Sequence, residues 1–243
     1  MTKNNTQWYA SWFDTPYYHI LYQDRNFEEA EAFMTQLTHF LKLPQRAEIM
    51  DLACGKGRHS VTLYNLGFKV TGVDLSKNSI KHAKKFENEN LKFEVHDMTQ
   101  IYPKQFDAVF NLFTSFGYFE TEDCNYKTIN AIKQQLKPNG YAVIDFLNVN
   151  FLKKNMIKQD IKTVQGIDFH QKRKIEEGYI FKDIKFNHKG SEYVFQERVQ
   201  ALTLQDFIAL FKQAQVELLH VFGNYDLQDY DAQTSPRLIM IFR

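Results

Sequence analysis

The chain has 243 residues, 44% of them apolar and 24% charged, with a formal net charge of +1. That length suits one α/β domain with a sizeable core, and the composition excludes disorder over most of it. Near-neutral charge, with no block of about five like charges, argues against a nucleic-acid groove or a polybasic membrane patch, which need clustered Lys and Arg.

The two cysteines, Cys54 and Cys124, form no C-x-x-C pair, and the polar start Met1-Thr2-Lys3-Asn4-Asn5 leads into no apolar leader segment. No apolar run reaches the ~18 residues a membrane span needs. A cytoplasmic protein with reduced thiols is expected.

Residues 1–25 carry Trp8, Tyr9, Trp12, Phe13, Tyr17, Tyr18 and Tyr22 around Pro16. They are too aromatic for a disordered tail and too irregular for one strong helix, so an aromatic lid is expected there. Phe27, Ala30, Phe33, Met34, Leu37 and Leu41 then recur at helical spacing, and Pro44 closes that helix. A regular alternation follows. A buried strand over 47–54 leads to a helix over 58–66, ending near Gly67. A second strand over 68–75 precedes a helix capped by Ser76 and running to Phe86. Further strands are predicted over 91–96 and 106–113. A helix over 121–136 and a Pro138-Asn139-Gly140 turn then lead to a fifth strand over 141–147. Strands separated by helices or crossovers imply a mostly parallel, doubly wound α/β sheet.

After Asn150 the period becomes two over 161–202, around Glu176-Glu177-Gly178 and Asn187-His188-Lys189-Gly190. This predicts a three-stranded antiparallel insertion with Tyr193, Phe195, Val199 and Ala201 on its apolar face. A helix capped by Thr203 carries Leu204, Phe207, Ile208, Phe211 and Ala214 on one stripe, and strands over 216–222 and 238–242 close the chain. Four segments result. Residues 1–45 form the lid and first helix, 46–150 the ligand-binding α/β core, 151–202 the β insertion, and 203–243 the closing part of the core.

The chemistry centres on Asp51-Leu52-Ala53-Cys54-Gly55-Lys56-Gly57-Arg58-His59-Ser60, where a strand turns through two glycines into a helix. Such a turn brings bare N–H groups and a helix N-terminus against a ligand. Asp51, Asp74 and Asp97 stand at successive strand ends, where open parallel sheets bind ligands. Asp74 follows Gly55 at close to the ~20-residue spacing of a ribose-binding acid. A dinucleotide site wants G-x-G-x-x-G, but here Ser60 holds the third glycine position, and Asp51 would repel a pyrophosphate. S-adenosylmethionine has no phosphate and carries an α-amino group, so its charge suits Asp51, with the backbone of Ala53 or Gly55 beside it.

Asp51-x-x-Cys54-Gly55-x-Gly57, Val73-Asp74-Leu75-Ser76 and His96-Asp97-Met98 together resemble the first three motifs of class I S-adenosylmethionine-dependent methyltransferases. The resemblance covers residues 47–147, and the last helix and two strands are similar to that family's closing hairpin. Tyr17-Tyr18-x-x-Leu21-Tyr22 and the insertion resemble bacterial small-molecule members. The resemblance implies a Rossmann-like seven-stranded sheet of order 3-2-1-4-5-7-6 with the seventh strand antiparallel. It also implies that Asp74 binds the ribose, Leu75 flanks the adenine, Asp97 binds the adenine amino group and Met98 lies against the ring. Asn111 and Leu112 would border the sulfonium and methyl. Arg58 is expected near the methionine carboxylate, and Tyr18 beside the cofactor.

Methyl transfer from a sulfonium is an in-line displacement that chiefly needs positioning and exclusion of water. It has no obligatory catalytic residue, so none is assigned, and the scattered histidines predict no metal site. The fourth strand ends Asn111-Leu112-Phe113-Thr114, without the Pro-Pro-aromatic motif of amino-directed DNA methyltransferases, and no Pro-Cys nucleophile exists. The paired glutamates of protein arginine methyltransferases are not evident between Asn111 and Cys124. A small-molecule acceptor, methylated on O or N, is therefore expected. No nucleic-acid or membrane partner is expected, and the chain is read as a monomer or homodimer. The acceptor wall is placed at residues 114–119, with Phe116 and Tyr118 as contacts and His19, His170 and Arg237 as base or anion anchor. The competing readings are an NAD-dependent oxidoreductase and a non-catalytic nucleoside-binding protein of the same fold.

Overall fold

A computed structural model describes residues 12–23, 27–119 and 121–243. The chain divides into two compact units. The larger spans Asn26–Leu152 and Leu202–Arg243, and the smaller joins Lys153–Ala201 to the described part of Met1–Arg25. The segment expected at 1–45 is therefore shared between units, its helix going to the larger one.

In the larger unit, β1 (Glu48–Leu52), β2 (Lys69–Asp74), β3 (Leu91–Val95), β4 (Phe106–Asn111) and β5 (Leu136–Leu147) are parallel. β10 (Leu218–Phe222) and β11 (Arg237–Phe242) complete a seven-stranded sheet of order β10-β11-β5-β4-β1-β2-β3, in which β11 runs antiparallel to both neighbours. This is the order the resemblance implied. It reverses direction between β1 and β4, which opens a crevice at their carboxyl ends. The centre is apolar on both faces: Ile49, Met50, Ala108, Phe110, Val143 and Ile144 are all buried, as parallel strands covered by helices require.

The expected Pro138-Asn139-Gly140 turn does not end a helix-to-strand link; it lies within β5. Asn139 takes a left-handed φ of 64°, and the pairing passes from Phe106–Leu136 to Ala108–Tyr141. The extra residues bulge out while β5 continues on both sides.

α2 (Phe27–Phe40) buries Ala30, Phe33, Met34 and Leu37 along one stripe. α3 (Arg58–Asn65), α4 (Lys77–Ala83), α5 (Glu122–Gln134) and α7 (Leu204–Ala214) are the unit's other main helices. Ser76 Oγ accepts the Ser79 N–H to cap α4, and Thr203 with Asp206 forms a reciprocal capping box on α7. The unit boundary falls inside α6 (Val149–Asn155).

The smaller unit holds α1 (Pro16–Leu21), β6 (Gln159–Val164), β7 (Ile167–Glu176), β8 (Tyr179–His188) and β9 (Ser191–Gln200). The strands form a four-stranded antiparallel sheet in sequence order, not the three-stranded one expected. The missed turn is Gln165-Gly166. Like Glu177-Gly178 and Lys189-Gly190, it is a two-residue loop with both φ positive, the geometry that matches strand twist. Trp12, Leu21, Val164, Ile167, Phe169, Ile184 and Phe186 form this unit's core.

Candidate active site at the switch point

Ala53, Gly55 and Gly57 take φ of 66°, 56° and 84°, so the chain curls tightly between β1 and α3. The two glycines serve different ends. A Cβ on Gly57 would lie 2.6 Å from the Phe93 ring, whereas one on Gly55 would meet no protein atom within 4 Å. Gly57 lets the turn pack on the sheet, and Gly55 leaves an open cradle above it.

Asp51 is only 2% exposed, and its Oδ2 accepts the Ser60 hydroxyl at 2.6 Å. Burial pushes its carboxyl up to about 6; neighbouring Asp74 adds to the shift, while Ser60 and Arg58 oppose it. Ser60 thus fills the third glycine position for a reason: it is the partner of the buried acid. Cys54 lies beside both acids, and burial together with their charges pushes its thiol well up, which keeps it protonated.

Asp74 Oδ2 accepts the Gly55 N–H and Oδ1 accepts the Ser76 N–H, each at 2.8 Å. A carboxylate has about four acceptor positions, so these bonds orient it without exhausting it. Leu75 is exposed beside it. Asp97 follows β3 on the surface, and its Oδ1 accepts from the Thr99 N–H and hydroxyl, with Met98 half-buried between them. The His96 N–H reaches the Asp74 carbonyl at 3.0 Å, linking the second and third motifs. Asn111, fully buried at the end of β4, donates from Nδ2 to the Leu52 carbonyl. Its Oδ1 is buried and accepts no hydrogen bond among the described residues. The Leu112 side chain turns into the core.

One residue beyond β4, Phe113 and Thr114 both have left-handed φ, 56° and 61°. Each non-glycine residue so held costs about 1–3 kcal/mol and persists only where neighbours over-determine it. Here the neighbour is Asp145 of β5, which is fully buried. Its Oδ2 accepts the Phe113 N–H at 2.8 Å, and its backbone carbonyl accepts the Thr114 N–H at 3.0 Å. Arg237 donates to Asp145 Oδ1 from Nε (2.8 Å) and Nη2 (2.7 Å), and Nη2 also reaches Thr114 Oγ1. The Tyr225 hydroxyl donates to Asp145 Oδ2 at 3.2 Å, and burial, reinforced by Asp145, pushes its pKa well up. The Phe113 ring stacks on His59 at 4.3 Å and 15°, and Arg58 donates to His59 Nε2.

Residues 45–215 match the family described as "Methyltransferase domain". The chain belongs to that family. It is 36% identical over 107 residues to the putative methyltransferase YqeM of Bacillus subtilis, covering 42% of this chain and 43% of the relative. It is also 29% identical over 141 residues to the glycine/sarcosine N-methyltransferase of Aphanothece halophytica, covering 55% of this chain and 51% of the relative. The chain thus spans about half the length of the curated relatives it matches. An S-adenosylmethionine-dependent methyltransferase from Clostridium acetobutylicum superposes with a TM-score of 0.79 at 18% identity, covering 93% of this chain and 95% of that one. Family and fold together make this a methyltransferase-family domain with the fold of a solved S-adenosylmethionine-dependent methyltransferase.

The residues at the switch point fit S-adenosylmethionine, the cofactor that the sequence motifs imply. The open cradle at Gly55 admits a ligand against the backbone, and Asn111 Oδ1 is a buried acceptor lacking a donor. The Asp51–Asp74 end of the turn is anionic, which suits an amine and a ribose better than phosphate. Asp51, Gly55, Gly57, Asp74 and Asn111 come together around one turn.

The acceptor-side expectations fare less evenly. Phe116 is fully buried against Phe119 and Phe207, because its apolar ring gains more in the core than beside solvent; it is not a wall residue. Tyr118 donates its hydroxyl to the Thr114 carbonyl and so belongs to the β4 turn. Burial alone would lower the Arg237 pKa, but Asp145 and Tyr225 reverse this and raise it, so Arg237 is a fixed cation and not a base. Tyr18, His19 and His170 lie in the smaller unit. The Tyr18 ring meets Trp12, Phe13, His19 and Tyr22, and His170 sits on the exposed side of β7. The sequence reading missed His59, Phe113, Asp145 and Tyr225. Asp145 did leave a signal: it is the one charge in the apolar run 141–147.

No helix of the described residues is long and apolar enough to cross a membrane.

Proposed function

We propose that the protein transfers a methyl group from S-adenosylmethionine to an O or N nucleophile of a small molecule. The observation that carries this reading is the Gly55–Asp74 bond, which joins an open glycine cradle to the acid expected at the ribose. The cofactor supplies an electrophilic methyl on a sulfonium. Asp51 offers a buried acceptor for its amine end, Asn111 borders the sulfonium, and Asp74 orients the ribose while holding the turn closed. Leu75 and Met98 offer apolar contact to the adenine, with Asp97 accepting from its amino group. Arg58 lies near the carboxylate. The turn after β4 lines the acceptor side through Thr114 and Tyr118, with the Arg237–Asp145 ion pair bracing it from behind.

A small acceptor is supported by the near-neutral net charge and by the relative that methylates glycine and sarcosine. The free thiols Cys54 and Cys124 suit the reducing cytoplasm. We place the protein there, as a monomer or homodimer. The test is turnover of methyl-labelled S-adenosylmethionine across a panel of small amines, phenols and carboxylates. Label transfer to at least one class is expected; inactivity across the panel despite cofactor binding would favour a non-catalytic role.

A further inference from the structure

We propose that Asp145 is a positioning residue for the methyl-bearing end of the cofactor site, acting through the Phe113–Thr114 turn. The inference rests on the cofactor reading above. Two consecutive non-glycine residues, Phe113 and Thr114, hold left-handed φ one residue beyond the end of β4, and Thr114 is β-branched. Such a conformation does not arise from the local sequence. It is imposed here by a single residue of the neighbouring strand, whose side chain takes one N–H of the turn and whose backbone takes the next.

The imposing carboxylate is itself fixed. Arg237 and Tyr225 donate to its two oxygens, so it cannot rotate without breaking charged bonds. Tyr225 lies within the loop between β10 and β11, and Arg237 opens β11 at its end. That loop is pinned by Asn148, which stands three residues beyond Asp145 and donates from Nδ2 to the Ala232 and Ser235 carbonyls. The chain of contacts ends on the Phe113 ring. The ring is laid flat on His59, the second residue of α3, and also meets Tyr225 at 5.3 Å. The stack therefore bridges the β4 turn to the glycine turn, the two elements that flank the crevice. An apolar residue at 145 could not accept the Phe113 N–H and would leave the Arg237 guanidinium without its carboxylate.

The experiment uses the full chain, [methyl-13C]S-adenosylmethionine as probe, and calorimetry with S-adenosylhomocysteine. In Asp145→Asn, S-adenosylhomocysteine affinity is expected to fall less than threefold, because the glycine turn is untouched. The bound methyl resonance is expected to move toward its free position as the aromatic stack loosens. Phe113→Gly removes the ring while tolerating positive φ. It should produce the same resonance shift in a folded chain of lowered melting temperature, because the ring's contacts to Phe33, His59 and Tyr225 are lost, and so decides the matter if Asp145→Asn does not fold. A wild-type methyl resonance in folded Asp145→Asn, or in Phe113→Gly, overturns the proposal. No binding of either nucleoside by the unaltered chain overturns the cofactor reading and the proposal with it. Binding with an unmoved resonance overturns the proposal alone.

Discussion

The Gly55 N–H donates to Asp74 Oδ2 at 2.8 Å, so the glycine turn after β1 is held by the acid that ends β2. Asp74→Ala removes this acceptor and the one used by Ser76. S-adenosylhomocysteine binding is expected to weaken by about 1–3 kcal/mol, the worth of charge-assisted hydrogen bonds lost at a partly buried site. Calorimetry on a folded variant checks this, and unchanged affinity would contradict the ribose assignment.

Gly55 and Gly57 should separate ligand binding from stability. Gly57→Ala drives a Cβ into Phe93 at a φ of 84°, and a loss of about 2–4 kcal/mol in urea unfolding is expected. Gly55→Ala meets no protein atom and should cost only about 1 kcal/mol of stability. Its effect should fall on cofactor affinity instead, because the new methyl enters the cradle. Equal loss of stability in both variants would show that the cradle is not open.

Asp51 gives a pH dependence with a definite sign. Burial pushes its folded pKa up to about 6, against ~3.9 for an unfolded Asp. The folded chain therefore holds the proton more tightly, so this group's stabilising contribution is full below about pH 4 and is lost as pH rises through about 6. Asp51→Asn keeps an acceptor for Ser60 and removes the buried charge. It should be more stable than the parent at pH 7 by about 1–3 kcal/mol. Binding should show the opposite preference. The parent's affinity for S-adenosylhomocysteine should drop as pH falls through about 6, and the variant's weaker affinity should not. Calorimetry at pH 5 and 7.5 distinguishes the two; matching profiles would remove Asp51 from the amine end of the site.

Glu48 carries the converse case. Hydrogen bonds from Lys137 and Lys104 hold its carboxyl at about 2, below the ordinary Glu value. Its contribution is present above about pH 4.3 and is lost as pH falls toward 2. Glu48→Gln should flatten the acid limb of the stability curve while leaving cofactor affinity unchanged, since β1 begins at the end of the sheet opposite the crevice. A parallel acid limb would contradict this.

Much of the fold was legible because each element carried its own boundary signal. Ser76 and Thr203 capped helices, Gly67 closed one, and acids stood at three strand ends. What failed was local ambiguity. Period-two alternation runs straight through Gln165-Gly166, so a fourth strand was absorbed into its neighbours. Pro138-Asn139-Gly140 reads as a turn from its residue types, and Asn139 does take a left-handed φ, yet pairing on both sides keeps β5 continuous. The nucleoside half of the site was readable for the same reason as the strands: Asp51, Gly55 and Asp74 lie at fixed offsets from elements. The Asp145 cluster was not. Its members are 32, 80 and 92 residues apart in the chain and meet only through sheet order. Phe116 illustrates the limit on the acceptor side, where an aromatic next to a site was core.

Binding of S-adenosylmethionine in the crevice between β1 and β4 underlies each expectation above for the glycine turn. Calorimetry of the full chain with S-adenosylhomocysteine and, separately, NAD at pH 7.5 tests it most directly. Stoichiometric binding of S-adenosylhomocysteine is expected, abolished or strongly weakened in Asp74→Ala, with no comparable heat from NAD. Tighter binding of NAD, or no binding of S-adenosylhomocysteine, would contradict it.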